Sequence, residues 1–394
     1  MIKSGVGMGR NIADPKKAGY DAVFAAIDKL EGQEPNIVFL FASIKYDQQE
    51  VLKGARQASA DAIIVGGSAA GEISSSATEF DAVVALAVVS DQMKFFAGSG
   101  SGVSKDSFAA GAEAAKNAIK LAGDEKLNLF IMIADGLNGN GAAIVRGAQS
   151  VLGENFPIMG GSAGDDYLFK KTYQYLNDLA VSDIVIGIGF TGDFSFGFGV
   201  RHGWEPVGLA QKVTKSEGAV LKELDGKPAL KIYEDYFGKE AQELIREPIA
   251  KMAYTYPLGM SVEGSDELLI RDPVIANEKG EITCAAEIPE GTMVRLTIGD
   301  RGRAIKAAQE AAENALNSLE GRQPKFIMVF NCMARNKLLG VHCNEENQMV
   351  RSVIGGDVPM AGFYTYGEQG PLLGKKGTPC YFHNETLTIL VIGE

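Results

Sequence analysis

Positive charge is scarce in this chain: 38 Lys and Arg stand against 50 Asp and Glu, for a formal net charge of −12. Proteins that hold nucleic acid gather Lys and Arg on one face, so no nucleic-acid partner is expected. Cysteine is sparse too. Four of them, at 284, 332, 343 and 380 in 394 residues, do not make a disulfide-stapled secreted domain, and a reducing, cytoplasmic setting is expected. No apolar run has the length that crosses a bilayer, so membrane insertion is not expected either. The opening MIKSGVGMGRN has no apolar core of the kind a signal peptide needs. Against these shortages stands glycine, 48 residues without a collagen-like period, which implies many turns or close backbone approaches. The apolar share of 46% and the charged share of 22% are those of an ordinary folded protein, and the length suits two domains.

Three segments share one plan: an apolar run, a pinch of small residues, then an acidic tip. They are IIVGGSAAGEI (63–73), PIMGGSAGDDY (157–167) and VPMAGFYTYGEQGP (358–371), with Glu72, Asp165 and Asp166, and Glu368 at their tips. The likeness extends outwards. A strand rich in small residues is predicted at 3–9, 95–102 and 294–300, each followed by an alanine-rich helix at 14–30, 104–123 and 303–321. Asp14 with Pro15, and Ser104 with Asp106, are positioned as helix N-terminal signals. Apolar strands follow at 36–43, 127–136 and 324–332, then a second helix, the small-residue turn, and a closing strand at 81–89, 183–190 and 387–393. From the end of the apolar strand to the turn, Ser43 to Gly67, Asp135 to Gly161 and Asn331 to Gly362, the spacings are 24, 26 and 31 residues, so an internal repeat is expected. Because successive strands occur with no helix between them, a purely parallel sheet is disfavoured. The expected class is α/β of the α+β kind: mixed sheets covered by helices, in two domains, 1–220 with two units and 221–394 with a third unit and an antiparallel insertion over 250–295.

Chemistry can be tested motif by motif. GNGAAIVRGAQ (139–149) places glycines before a helix that carries Arg146, but no Walker or dinucleotide spacing is present. Ser68 and Ser162 follow paired glycines without a G-x-S-x-G elbow, so hydrogen bonding within the turns competes with nucleophilic use. Cys332, His342, Cys343, Cys380 and His383 include soft ligands, yet no C-x2-C pair, and no metal site is expected. An enzyme would draw on Asp166 as base or Cys332 as nucleophile. The aromatic turn GFYTYGE, with Tyr364, Tyr366 and Glu368, suits a small ligand with an apolar body and a cationic amine. The one tryptophan, Trp204, either covers a pocket or braces a hairpin. Arg201 and Arg335 are available for a ligand carboxylate, which makes an amino-acid-like ligand the expectation.

VGGSAAGEI, GGSAGDD, HGWEPVG, LDGKPALKIYEDYFG, FNCMARN, GFYTYGEQGP and YFHNETLTILV, taken in order, resemble the FIST proteins, which pair a FIST N domain with a FIST C domain. The resemblance implies a sensory module of signal transduction that binds a small ligand such as an amino acid. It marks Gly66, Gly67, Ser68 and Glu72 in the first turn, Trp204, then Tyr364, Tyr366, Gly367 and Glu368 in the last turn, and Phe382, His383 and Asn384 beside the closing strand. Gly67 and Ala69 stand where the family often has cysteine and threonine, so thiol chemistry is not implied there. Family members are often fused to methyl-accepting, kinase or cyclic-dinucleotide output domains. The expected partner is therefore a separate histidine kinase, chemoreceptor or cyclic-dinucleotide output protein. A subgroup resembles haem-based nitric oxide sensors, which here would need His202, His342 or His383 as axial ligand; otherwise no cofactor is expected.

Overall fold

The computed structural model describes residues 1–248 and 251–394. The repeat is present, and it builds three six-stranded sheets. In the first, the strands Ile2–Gly9, Val83–Ser90, Ile37–Ser43 and Ile63–Ala69 lie side by side in that order. The second repeats the order with Met93–Ser101, Ile184–Gly192, Leu129–Ala134 and Ile158–Ser162. The third uses Ser195–Arg201, Leu387–Gly393, Pro324–Cys332 and Met360–Thr365. In every sheet the two strands after the helices are parallel to each other and the rest are antiparallel, as the mixed-sheet expectation requires.

Each unit then lends its short hairpin to a neighbour. Strands Glu72–Ile73 and Thr78–Glu79 of the first unit extend the third sheet. Strands Gln174–Leu176 and Leu179–Val181 of the second extend the first, and Glu368–Pro371 with Cys380–His383 of the third extend the second. The loans close a ring, so the molecule has a pseudo-threefold plan in which no unit is complete alone.

The first strand of the third unit is not 294–300, as the sequence suggested, but Ser195–Arg201, which pairs with Leu387–Gly393 as Ile2–Gly9 pairs with Val83–Ser90. Residues 293–298 belong instead to an antiparallel insertion, Glu205–Ile298, inserted between that strand and its helix. The insertion has its own apolar core, including Leu221, Tyr233, Leu258 and Leu296.

Helices Pro15–Ile27 and Gln48–Ser59, Ser107–Ala122 and Gly141–Leu152, and Arg301–Asn317 and Cys343–Ile354 cover the outer faces in pairs. Asp14 and Asp106 accept the amides of Lys17 and Ala109 as helix caps, while Ser104 is spent on Asp183. The inner faces meet in one apolar centre: Phe39 and Phe41 from the first sheet, Ile131 and Phe190 from the second, Phe330 and Phe363 from the third. Burial at this centre is the main stabilising term shared by all three units. Among the described residues no helix is long and apolar enough to cross a membrane.

Candidate functional site

The register carries the same three positions to the edge of each sheet. Ala42 pairs with Val83, Ala134 with Val185 and Asn331 with Leu387. The next residues, Ser43, Asp135 and Cys332, are therefore equivalent, and so are Asp81, Asp183 and Glu385 across from them. Those three acids all have left-handed backbones, with φ of 55°, 64° and 54°. A left-handed non-glycine residue is strained, and such residues collect at functional sites. The third position is the first residue of each lent hairpin. Glu72 lies opposite Phe363, Gln174 opposite Gly67 and Glu368 opposite Gly161. Glu72 and Glu368 each accept a backbone amide at the mouth of the closing strand, from Ala82 at 3.3 Å and Thr386 at 3.2 Å.

The three loci have diverged. At the second, Asp135 is saturated by the amides of Leu137, Asn138 and Asp183 and by the Thr172 hydroxyl, leaving nothing for a ligand. At the first, Ser43 donates to Asp166 at 3.0 Å and Lys45 pairs with Asp81 at 2.7 Å. Glu72 is buried there with Oε1 unpartnered, and desolvation, then the nearby Asp166, hold its carboxyl well above the usual carboxylate range. Burial raises Asp166 itself, against the lowering effect of Ser43 and Lys45.

A hollow of about 210 Å³ lies at the third locus. Its walls come from the second unit (Gly136, Leu137, Tyr167, Phe169), from the insertion (Asp272, Val274, Ala285) and from the third unit (Cys332, Tyr366, Asn384). The loop 165–169 is built for display. Asp165 is buried and accepts the amides of Phe169, Lys170 and Lys171 and the hydroxyl of Tyr366, the last at 2.5 Å. It is thus a loop organiser. Asp166, Tyr167 and Phe169 around it are all left-handed, with φ of 53°, 62° and 50°. Phe169 stacks on Tyr366 with ring centroids 5.2 Å apart, while the Tyr167 hydroxyl donates to the Met333 carbonyl at 2.7 Å. With both hydroxyls committed, the aromatic wall offers faces rather than polar groups.

The polar groups left over are deeper. Asp272 and Glu385 are both buried, and both Glu385 oxygens and Asp272 Oδ1 have no hydrogen-bond donor among the described residues. Asn384 Oδ1, also buried, has none. Burial pushes both carboxyls up, and for Glu385 the neighbouring Asp272 adds to it. Glu368 is raised by burial and Cys332 by burial and then by Glu368, so the thiol is neutral and poorly suited to nucleophilic attack.

A proton retained in the fold but lost on unfolding makes stability fall as pH rises through the window between the two states. Wild-type protein is therefore expected to lose, relative to Glu385→Gln, up to about 1.4 kcal/mol per pH unit above the ordinary carboxylate range. Urea unfolding of both proteins at pH 5 and pH 8 checks this; equal differences at the two pH values would mean that Glu385 keeps no proton in the fold.

The other residues expected at a site take structural places. Gly66 and Gly67 lie inside a strand. Ser68 donates to the Gly164 carbonyl and accepts the Tyr173 amide, and Ser162 accepts from Gln369. Tyr364 is buried with its hydroxyl on Thr78 at 3.2 Å. Trp204 braces the junction with the insertion: its indole donates to the Tyr254 carbonyl at 3.2 Å and it does not reach the hollow. Neither arginine reaches the hollow. Arg201 faces Glu310 at 3.5 Å, and the fully buried Arg335 is spent on Glu346 and on three backbone carbonyls. A ligand carboxylate finds no guanidinium there. Arg146 is held by Glu287, and Asn140 caps its helix, so the 139–149 turn has no open anion cradle.

The histidines do not fit haem. His383 is buried with Nε2 on the Gly370 carbonyl, His202 is held between the Trp204 amide and Glu267, and His342 pairs with Glu345. Burial lowers His383 to about 4. Among the described residues no three His, Cys, Asp or Glu side chains are disposed to hold a metal ion.

The chain matches the model of the FIST N domain over residues 36–227 and that of the FIST C domain over 229–371. It belongs to the FIST family. FIST domains are sensory modules that bind small ligands and act through downstream signalling partners. The chain is 29% identical over 215 residues, 54% of each protein, to an uncharacterized protein of Mycobacterium tuberculosis. It is 29% identical over 193 residues to an uncharacterized protein of Methanocaldococcus jannaschii, covering 46% of this chain and 36% of that one. The chain thus spans about half the length of the curated relatives it matches. Among solved structures it is similar to cyanuric acid hydrolase from A. caulinodans, with TM-score 0.39 and 8% identity over 99% of both chains. It is also similar to PurL from T. maritima, with TM-score 0.24, 13% identity, and 100% of this chain against 72% of that one. Neither passes any chemistry to this FIST protein.

Proposed function

We propose that this FIST protein senses a small metabolite with an apolar body, bound in the hollow between Tyr167, Phe169 and Tyr366, and signals through a separate output protein. One observation supports it above the others: buried polar atoms without partners, Asp272 Oδ1 and Asn384 Oδ1, behind an aromatic wall. Unmade buried hydrogen bonds cost about 1–3 kcal/mol each, and a ligand that made them would recover that cost. An amino-acid-like ligand would have to present its amine to this floor and leave its carboxylate at the mouth. Because the walls come from two units and the insertion, a ligand favouring one arrangement of the three would shift the ensemble towards it. The output protein would be a histidine kinase, a chemoreceptor or a cyclic-dinucleotide protein.

The test is a thermal-shift panel of small metabolites against wild type and Phe169→Ala. Phe169 is 42% exposed, so its truncation leaves the core intact. A ligand at a hundred times its Kd stabilises wild type by about 2.7 kcal/mol and the variant by clearly less. Ligands that stabilise both proteins equally would place binding elsewhere.

A further inference from the structure

We propose that the cleft between the helix Gly141–Leu152 and the insertion is a second ligand site, one that takes a small monocarboxylate with an apolar body and holds it on Arg271. This site is separate from the hollow and supplies the guanidinium that the hollow lacks.

The cleft encloses about 390 Å³, within the range of small-ligand sites. Val145 on the helix, Met260 and Leu269 on the insertion, and Phe382 give it apolar walls, and Arg271 lies among them. Arg271 is only 2% exposed. Its Nε donates to the Glu287 carbonyl and its Nη1 to those of Ile270 and Phe382, at 2.9, 2.9 and 3.2 Å, which fixes the plane of the guanidinium. Nη2, with two N–H groups, has no acceptor among the described residues. Burial lowers the pKa only to about 10, so the group is still a cation at neutral pH. A buried cation without a counter-ion is costly. The other fully buried arginine, Arg335, has its counter-ion in Glu346.

The acids nearest to Arg271 do not fill that role. Glu287 spends its oxygens on Arg146 and on the Asn140 amide. Asp272 is turned away, because successive residues of an extended chain point to opposite faces: Arg271 lines the cleft and Asp272 lines the hollow. The same segments supply Glu287 and Phe382 to the cleft, and Ala285 and Asn384 to the hollow. The two sites thus stand back to back and share no lining residue.

The cleft also sets the ligand's charge. A carboxylate on Nη2 balances Arg271 one for one and makes charge-assisted hydrogen bonds. A phosphate or a dicarboxylate would carry surplus negative charge towards Glu154, Glu263 and Glu287, which line the same cleft. An ammonium would meet the guanidinium head on.

Three probes of matched shape test this: 3-phenylpropionate, 2-phenylethanol and phenethylamine, titrated calorimetrically into wild-type protein at neutral pH. 3-Phenylpropionate is expected to bind at least about tenfold more tightly than the other two, the worth of a hydrogen bond to a charged group. Arg271→Gln is expected to lose at least that factor. Since Arg271 also holds three carbonyls, Thr292→Glu is tested beside it. Thr292 is a half-buried residue of the cleft wall, and a carboxylate fixed there competes for Arg271 while leaving its existing bonds in place. The same loss is expected. Phe169→Ala, altered in the hollow alone, is expected to bind 3-phenylpropionate as wild type does. An acid affinity unchanged in either cleft variant overturns the cleft as its site, and so does an affinity lost in Phe169→Ala. Alcohol or amine binding as tightly as the acid overturns the choice of a carboxylate. Wild-type protein that does not bind 3-phenylpropionate overturns the second site, and the metabolite panel on Phe169→Ala still decides the hollow by itself.

Discussion

Arg335→Met is expected to destabilise the protein by about 3–5 kcal/mol, the scale seen when one partner of a buried ion pair is removed. The side chain has no exposed surface, and its guanidinium pairs with an equally buried Glu346. The same group donates to the carbonyls of His202, of Ala304 at 3.0 Å and of Glu385 at 3.2 Å, and it lies 5.4 Å from the Trp204 ring. It thus ties together the strand-to-insertion junction, the helix Arg301–Asn317 and the strained backbone of Glu385. Methionine fills much of the volume, so what is lost is charge and hydrogen bonding. Glu346 would be left with only the Asn331 amide, at 2.5 Å. A double variant, Arg335→Met with Glu346→Leu, is expected to recover a large part of the loss, because it removes the orphaned charge along with its partner. Denaturant titration of the four proteins measures both terms. A single-variant loss below about 1 kcal/mol, the range of exposed pairs, would show that solvent reaches this pair.

What the chain discloses in advance is local. The near-continuous apolar runs IVFLFAS, LFIMIA and FIMVFNC read directly as buried strands, and the alanine-rich helices read from their period. The misplaced first strand of the third unit had a usable signal. SFGFGVR alternates glycines as IKSGVGMG and MKFFAGSGS do, because each strand packs its glycines against a helix backbone; a Cβ on Gly199 would sit 2.0 Å from the Ala311 carbonyl oxygen. The long insertion hid the match by separating that strand from its helix. The hairpin loans were not legible, since strands as short as Glu72–Ile73 carry no pattern that says which sheet they join. The acid pair was missed for a related reason. Asp272 follows LLIR and Glu385 precedes TLTILV, each a lone acid at the edge of an apolar run, and only the fold brings them together. An unaccompanied acid in such a place has an ordinary explanation as a turn residue, until its partner is seen.

Alanine at Gly362 is expected to cost more than 4 kcal/mol, beyond the range of ordinary substitutions, and to leave the protein largely insoluble. Gly362 lies opposite Val329 in the parallel pair of the third sheet, and a Cβ there would stand 1.9 Å from the Val329 carbonyl oxygen. That obstacle is backbone held in the middle of a sheet, so no rotamer change relieves it. Gly66 and Gly160 occupy the same register position, facing Leu40 and Met132, with the corresponding oxygens at 1.7 and 2.0 Å. If the threefold plan is physical, the same substitution must do the same kind of damage at all three. Gly356→Ala is the control, since a Cβ there meets nothing within 4 Å. Soluble yield and denaturant midpoints of the four variants decide it. A Gly160→Ala protein as stable as Gly356→Ala would mean that the second unit does not pair its strands as the others do. The lent hairpin Glu368–Pro371, which joins that sheet beside Gly160 and Gly161, would then lose the partner strand that holds Glu368 in place.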